Sequence, residues 1–197
     1  AIGSYALDAT DNNAQTGTIA IGHQALTALT SGSGNIAIGY QAGDSMTDNN
    51  SNVIIGYRAL ATADDGEHEN VVIGHQAGLN IYGDGSNENV IIGASAGTGG
   101  SAVMLGCVAV GRGALNSTGS NPHTGTIAIG HNALTALTTG GGATGGNIAI
   151  GYTSLISTTT GASNVVIGYQ AGYNMTTTSN TVLIGYNAGV GIDAANT

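Results

Sequence analysis

The sequence predicts an all-β chain wound into a parallel β-solenoid, a β-roll of about eleven coils. The first observation behind this is a period. A glycine preceded by an apolar run falls at Gly3, Gly22, Gly39, Gly56, Gly74, Gly93, Gly111, Gly130, Gly151, Gly168 and Gly185, eleven copies spaced 17 to 21 residues apart. The second is that neighbouring residues keep their character column by column. NIAIGYQAG at 35–43 returns as NVIIGYRAL from Asn52, NVVIGHQAG from Asn70 and NVVIGYQAG from Asn164. The third is composition: 35 Gly, no Phe, no Trp, and two basic residues, Arg58 and Arg112. Apolar content made of Ile, Val, Leu and Ala suits stacked short strands, whereas frequent Gly and β-branched triplets oppose helix.

Each column has a physical reading. The residue before the glycine is Ile in ten copies and Val110 in the other. Three before it, Ile36, Val53, Val71, Val90, Val108, Ile148, Val165 and Val182 are all β-branched. Residues two apart on a strand share a face, so Ile36 and Ile38 are expected to line the coil. The rungs Ile38–Gly39, Ile55–Gly56, Ile73–Gly74 and Ile167–Gly168 then form a structural ladder. The column between, with Ala37, Ile54, Val72, Ile91, Val166 and Leu183, is expected to face a second layer. Each buried Ile or Val is worth about 1.5–3 kcal/mol, which predicts that another copy of the chain covers this column.

The motif glycine is expected to need either a positive φ or close backbone approach. The next column holds His23, Tyr40, Tyr57, His75, Arg112, His131, Tyr152, Tyr169 and Tyr186. Its tyrosines Tyr40, Tyr57, Tyr152, Tyr169 and Tyr186 are expected at a subunit seam. Ala follows at the third position, as in Ala42 and Ala59, and reads as a crowded corner; the fourth alternates between Leu, as in Leu26, and Gly, as in Gly43. The remainder of each copy, rich in Ser, Thr, Asn, Asp and Gly, reads as loop pointing away from the stack. Asn35, Asn52, Asn70, Asn89, Asn147 and Asn164 precede the strands and are expected to stack as an amide ladder.

The copies leave no room for a second domain, so residues 1–197 form a single array. TGTIAIGHQALTALT from Thr16 returns as TGTIAIGHNALTALT from Thr124, 108 residues later, and a six-coil block 1–108 is partly duplicated in 109–197. The opening Ala1-Ile2-Gly3 lies inside the motif, which predicts a piece of a longer fibre.

Charge excludes several function classes. With a formal net charge of −9 there is no basic stripe for phosphates, so neither nucleic acid nor an anionic membrane surface is an expected partner. No apolar run is long enough for a membrane-spanning helix, so no membrane insertion is expected. Eight of the eleven acids lie between Asp44 and Glu88, and none between Ser95 and Ile192. The single cysteine, Cys107, excludes an internal disulfide and is expected to be a small buried residue.

The N-x-A-I-G core resembles the repeat of trimeric autotransporter adhesin heads. The fuller N-x-A-I-G-Y-Q-A-G form is similar to repeat regions of phage tail fibres. The resemblance implies a left-handed β-roll, a homotrimer, intertwined or side by side, and a structural fibre segment that extends or presents a surface to a host glycan or protein receptor. A virion tail fibre or an extracellular cell-surface location follows from it. A bacterial adhesin head, a polysaccharide-depolymerising tailspike and an ice-binding solenoid are the alternatives.

Candidate chemistry is sparse. His23, His75 and His131 share a column and would converge as a metal site only about a threefold axis. Asp64, Asp65, Glu67, Asp84 and Glu88 offer oxygen ligands for calcium, although neither acidic loop matches a calcium-binding repeat. Carboxylate pairs such as Asp64 and Glu67 are the raw material of glycoside hydrolysis, but an aromatic groove to accompany them is missing. Threonines at 158–160 and 176–178 raise ice binding, which needs Thr in register on a flat face. The expectation is a non-enzymatic segment without a cofactor.

Overall fold

A computed structural model describes residues 1–9, 15–81, 85–100, 103–119, 122–137 and 146–192. It is all-β, a parallel β-solenoid. The strands are β1 (Ile19–Ile21), β2 (Ile36–Ile38), β3 (Val53–Ile55), β4 (Val71–Ile73), β5 (Val90–Ile92), β6 (Met104–Leu105), β7 (Val108–Val110), β8 (His123–Thr124), β9 (Ile127–Ile129), β10 (Ile148–Ile150), β11 (Val165–Ile167) and β12 (Val182–Ile184). All but β6 and β8 join one ten-stranded sheet, and those two pair with each other. Register follows the motif: Ile38 pairs with Ile55, Ile55 with Ile73, and Ile150 with Ile167. Ile2 bridges to Ile21 and continues the ladder at its start.

The motif glycines satisfy both expectations at once. Gly56 has φ +143, and a Cβ placed on it would lie 2.3 Å from the carbonyl oxygen of Gly74 in the next coil. A side chain is excluded by conformation and by space together. Beyond each glycine the chain turns through two left-handed residues, as at Gln41 (φ 51) with Gly43 (φ 59) and Arg58 (φ 50) with Leu60 (φ 48). Left-handed Leu costs roughly 1 kcal/mol, and full burial of Leu26, Leu60, Leu115, Leu134 and Leu155 offsets it.

The inward and outward faces are the reverse of the sequence expectation. The middle column, Ala37, Ile54, Val72, Ile91, Ala109 and Val166, is fully buried inside the coil. Ile36, Ile38, Val53, Ile55, Val71 and Ile73 point outward and are only partly covered. The reason is width. A coil this narrow admits one strand residue, and its interior is already occupied by side chains from the segment read as loop. Leu29, Met46, Ala63, Ile81, Leu137 and Met175 lie seven residues after their glycines, and all are buried. The loops therefore stack with the coils instead of leaving them.

Side-chain volume is balanced between coils. A Cβ on Gly43 would meet Met46 Sδ at 2.7 Å, Leu26 Cδ2 at 3.0 Å and Ile54 Cδ1 at 3.1 Å, so three coils fill the space of one missing side chain. Gly172 is likewise enclosed by Leu155, Met175 and Val166. Beside Gly43, Gly78 and Gly172 the inward residue three positions on is large, Met46, Ile81 and Met175, and it fills room the glycine leaves.

Candidate functional site

The sheet that winds the solenoid presents the candidate surface. Its outward side is two parallel columns of Ile and Val, from Ile19 and Ile21 through to Val182 and Ile184. Ten strands about 4.8 Å apart, with two side chains roughly 7 Å apart on each, make an apolar stripe on the order of 500 Å². That is in the range of the largest apolar patch a monomer ordinarily exposes, which is often a functional one. An outward apolar face is present, but the flanking columns make it, and Ala37 and Ile54, expected there, do not.

The ring column borders the stripe. Ring centroids of His23, Tyr40, Tyr57 and His75 follow one another at 5.3, 5.2 and 5.1 Å, with interplanar angles of 8 to 10°. A second stack runs through His131, Tyr152, Tyr169 and Tyr186 at 5.2 Å throughout. Parallel strands in register force this, because equivalent side chains repeat at the strand spacing. The rings cover one another's faces and turn their edges outward, with Tyr40 42% and Tyr57 46% exposed. The expected seam tyrosines are thus brought into ordered rows. His23, His75 and His131 are each stacked on a tyrosine in those rows, and no group of three metal-ligating side chains occurs among the described residues of the chain.

Below the strands run polar ladders. Asn52 Nδ2 donates to Asn35 Oδ1 (3.1 Å), Asn70 Nδ2 to Asn52 Oδ1 (3.1 Å) and Asn89 Nδ2 to Asn70 Oδ1 (2.9 Å). The second amide hydrogen of each reaches a main-chain carbonyl: Glu67 for Asn52, Ser86 for Asn70 and Met104 for Asn89. The Asn70 and Asn89 main-chain N–H groups also donate to the preceding side-chain oxygens. At full burial this satisfies the amides, which is why Asn occupies the column. Asn164 Nδ2 and N likewise donate to Asn147 Oδ1. A second ladder, missed in the sequence, passes from Ser33 to Asn50 to His68 to Asn87: Ser33 N donates to Asn50 Oδ1, Asn50 N to His68 Nδ1 and His68 N to Asn87 Oδ1.

The acidic loops do not converge. Asp64 and Asp65 face solvent, with Asp65 accepting from the Thr47 hydroxyl, and Glu88 is exposed a coil further on. Glu67 turns inward, fully buried, and accepts from Asn49 Nδ2 at 2.8 Å. Asp84 lies outside the described residues. Burial raises the Asp44 carboxyl above its ordinary range, offset in part by its own amide and by Arg58. The threonines do not present a flat array: Thr158 is buried and donates to the Met175 carbonyl, and Thr159 donates to that of Thr176.

Two buried titratable groups share the interior. Cys107 takes the Asn position in its coil, and burial pushes its thiol up. His123 donates from Nε2 to the Thr118 carbonyl at 2.8 Å, and its Nδ1 has no partner among the described residues. Burial lowers its pKa, with the Thr118 hydrogen bond opposing. Comparison of the chain with protein-family models, with curated proteins and with solved structures returns no match.

Proposed function

We propose that the chain is a structural segment of a surface fibre of the tail-fibre kind. In this reading three copies assemble through the Ile/Val stripe and turn the other sides of their coils, with the variable polar segments stacked on them, toward a host glycan or protein receptor. The observation that carries the reading is the stripe: two uninterrupted columns of partly exposed β-branched residues along the ten-stranded sheet. An apolar strip of that length and regularity is costly in water and suits the identical strip on another copy. The Tyr rows at its border would then run along the rim of the seam, with their outer edges still open to solvent. A role without catalysis agrees with the placement of the carboxylates, since Glu67 points into the coil while Asp64 and Asp65 point out.

Light scattering or native mass spectrometry of the intact chain tests the assembly. The expected result is a trimer. Replacing Ile55 and Ile73 by Glu should release folded monomers that keep their β circular dichroism, because both side chains point away from the core. A wild-type chain that stays monomeric at high concentration would overturn the assembly. Binding of the assembled chain to whole cells or a glycan array then tests presentation to a receptor.

A further inference from the structure

The two ring stacks are parts of one column with two rungs missing. After His75 the column holds Ala94 and then Arg112, and stacking resumes at His131. The main chain does not notice the interruption. Ser95 N donates to the His75 carbonyl at 2.9 Å, Gly113 N to that of Ala94 at 3.0 Å and Asn132 N to that of Arg112 at 2.9 Å. The coils therefore keep their pitch across the gap, and only side-chain volume is missing. The Arg112 guanidinium donates to His131 Nε2 at 3.4 Å. One face of the exposed His75 ring is stacked on Tyr57, and the other looks over the methyl group of Ala94.

We infer that the gap at Ala94, between His75 and Arg112, is a slot for one planar aromatic ring bearing a negative group. Two coil steps separate the rungs of His75 and Arg112, about 10 Å at the strand spacing. Neighbouring rings in this column sit 5.1 to 5.3 Å apart, so a single inserted ring completes the series with a stack on each side. On one side it meets imidazole and on the other a guanidinium, a favourable pair for an aromatic face. The charge preference comes from Arg112, one of only two basic residues, in a stretch without an acid from Ser95 to Ile192. An anionic substituent on the ring pairs with it there and finds no competing carboxylate of that stretch. Inside either stack both faces of each ring are covered, and at the free end of Tyr186 a ligand finds one face, whereas the slot offers a partner on each side.

The probe is 4-hydroxyphenylacetate, with its neutral amide as the control, titrated into the intact chain in its natural assembly. The His75 and His131 ring protons are followed by NMR. The expected result is a saturable shift of the His75 signals with a Kd on the order of 1 mM, as suits a ligand of so few atoms. The amide binds several-fold more weakly, and Arg112→Gln brings the acid down to the level of the amide. Ala94→Tyr fills the slot with the chain's own ring, abolishes the shift and raises the melting temperature by completing the column. If that variant does not fold, Ala94→His serves the same purpose. An unmoved His75 signal at about ten times that concentration, undiminished binding by the filled variant, or equal affinity for acid and amide would each overturn the inference.

Discussion

The thiol of Cys107 donates to the main-chain carbonyl of His123, 3.4 Å away. That carbonyl stands where the Met104 carbonyl stands for Asn89 one coil earlier, and there an amide donates at 2.8 Å. Below it, Asn89 Oδ1 accepts from Cys107 N, so the amide ladder reaches the cysteine and stops.

Cys107→Asn is therefore expected to extend the ladder by one rung and stabilise the chain. Exchanging a weak S–H donor for an amide with two satisfied hydrogens is worth about 1 kcal/mol. In a chain of this size that corresponds to a melting temperature roughly 2–4 °C higher. A thermal melt of the two proteins decides it, and a lower value for the variant contradicts the ladder account. In the native wild type the same burial should make the thiol slow to react with a thiol-directed reagent, with full reactivity appearing only on unfolding.

Gly56→Ala and Gly185→Ala should separate the two reasons for the motif glycine. Both carry strained positive φ, but a Cβ on Gly56 strikes the Gly74 carbonyl, whereas on Gly185 the nearest atom is Ala188 Cβ at 4.0 Å. The second substitution should cost only the conformational strain, about 1–3 kcal/mol. The first should cost more, because the coils must part, and urea midpoints should rank the variants in that order.

Asn52 makes its hydrogen bonds in both directions along the ladder, to Asn35 Oδ1 below and from Asn70 above. Asn52→Ala leaves Asn35 Oδ1 its main-chain donor but strips the buried Asn70 N–H, an Asn70 amide hydrogen and the Glu67 carbonyl of their partner, a loss of about 2–4 kcal/mol. Asn52→Asp should be worse at neutral pH, since a buried carboxylate faces Asn35 Oδ1 with no hydrogen to offer. Its deficit relative to Ala should shrink as acid protonates it. Denaturant melts at two pH values test the sign.

His123 gives the wild type a pH dependence of its own. Its pKa is lowered by burial, so the unfolded chain binds the proton more readily than the folded one. Stability is then fully present above the ordinary value of 6.5 and falls as pH drops through 6.5. The slope should stay below about 1.4 kcal/mol per pH unit, the limit for one proton. His123→Gln, which keeps a donor for the Thr118 carbonyl, should flatten this part of the profile. A slope unchanged in the variant would place its origin in another group.

Much of this architecture was legible in the sequence because a parallel solenoid writes its geometry as a period. The coil boundaries, the register, the glycine at the corner and the Asn column could all be read from spacing. The facing of the strand could not. Ile36 and Ile38 look like core and Ala37 like surface, since the reading weighed each strand alone. What decides the facing is the volume already inside, supplied by Leu29, Met46, Ile81, Leu137 and Met175 in segments rich in polar residues. Their constant distance of seven residues from the glycine was the available signal. The ring gap was also visible as Ala94 and Arg112 in an aromatic column, but its meaning needed the stacking geometry.

The shared filling around Gly43 bears on how such an array can change length. A coil that leaves room for its neighbours' Leu26 and Ile54 is not an interchangeable bead, because removing it brings together partners that were never fitted to one another. Insertions and losses should therefore be tolerated as runs of coils that carry their matched neighbours with them. The near-identical stretches from Thr16 and Thr124, a whole run apart, are the trace such inheritance leaves.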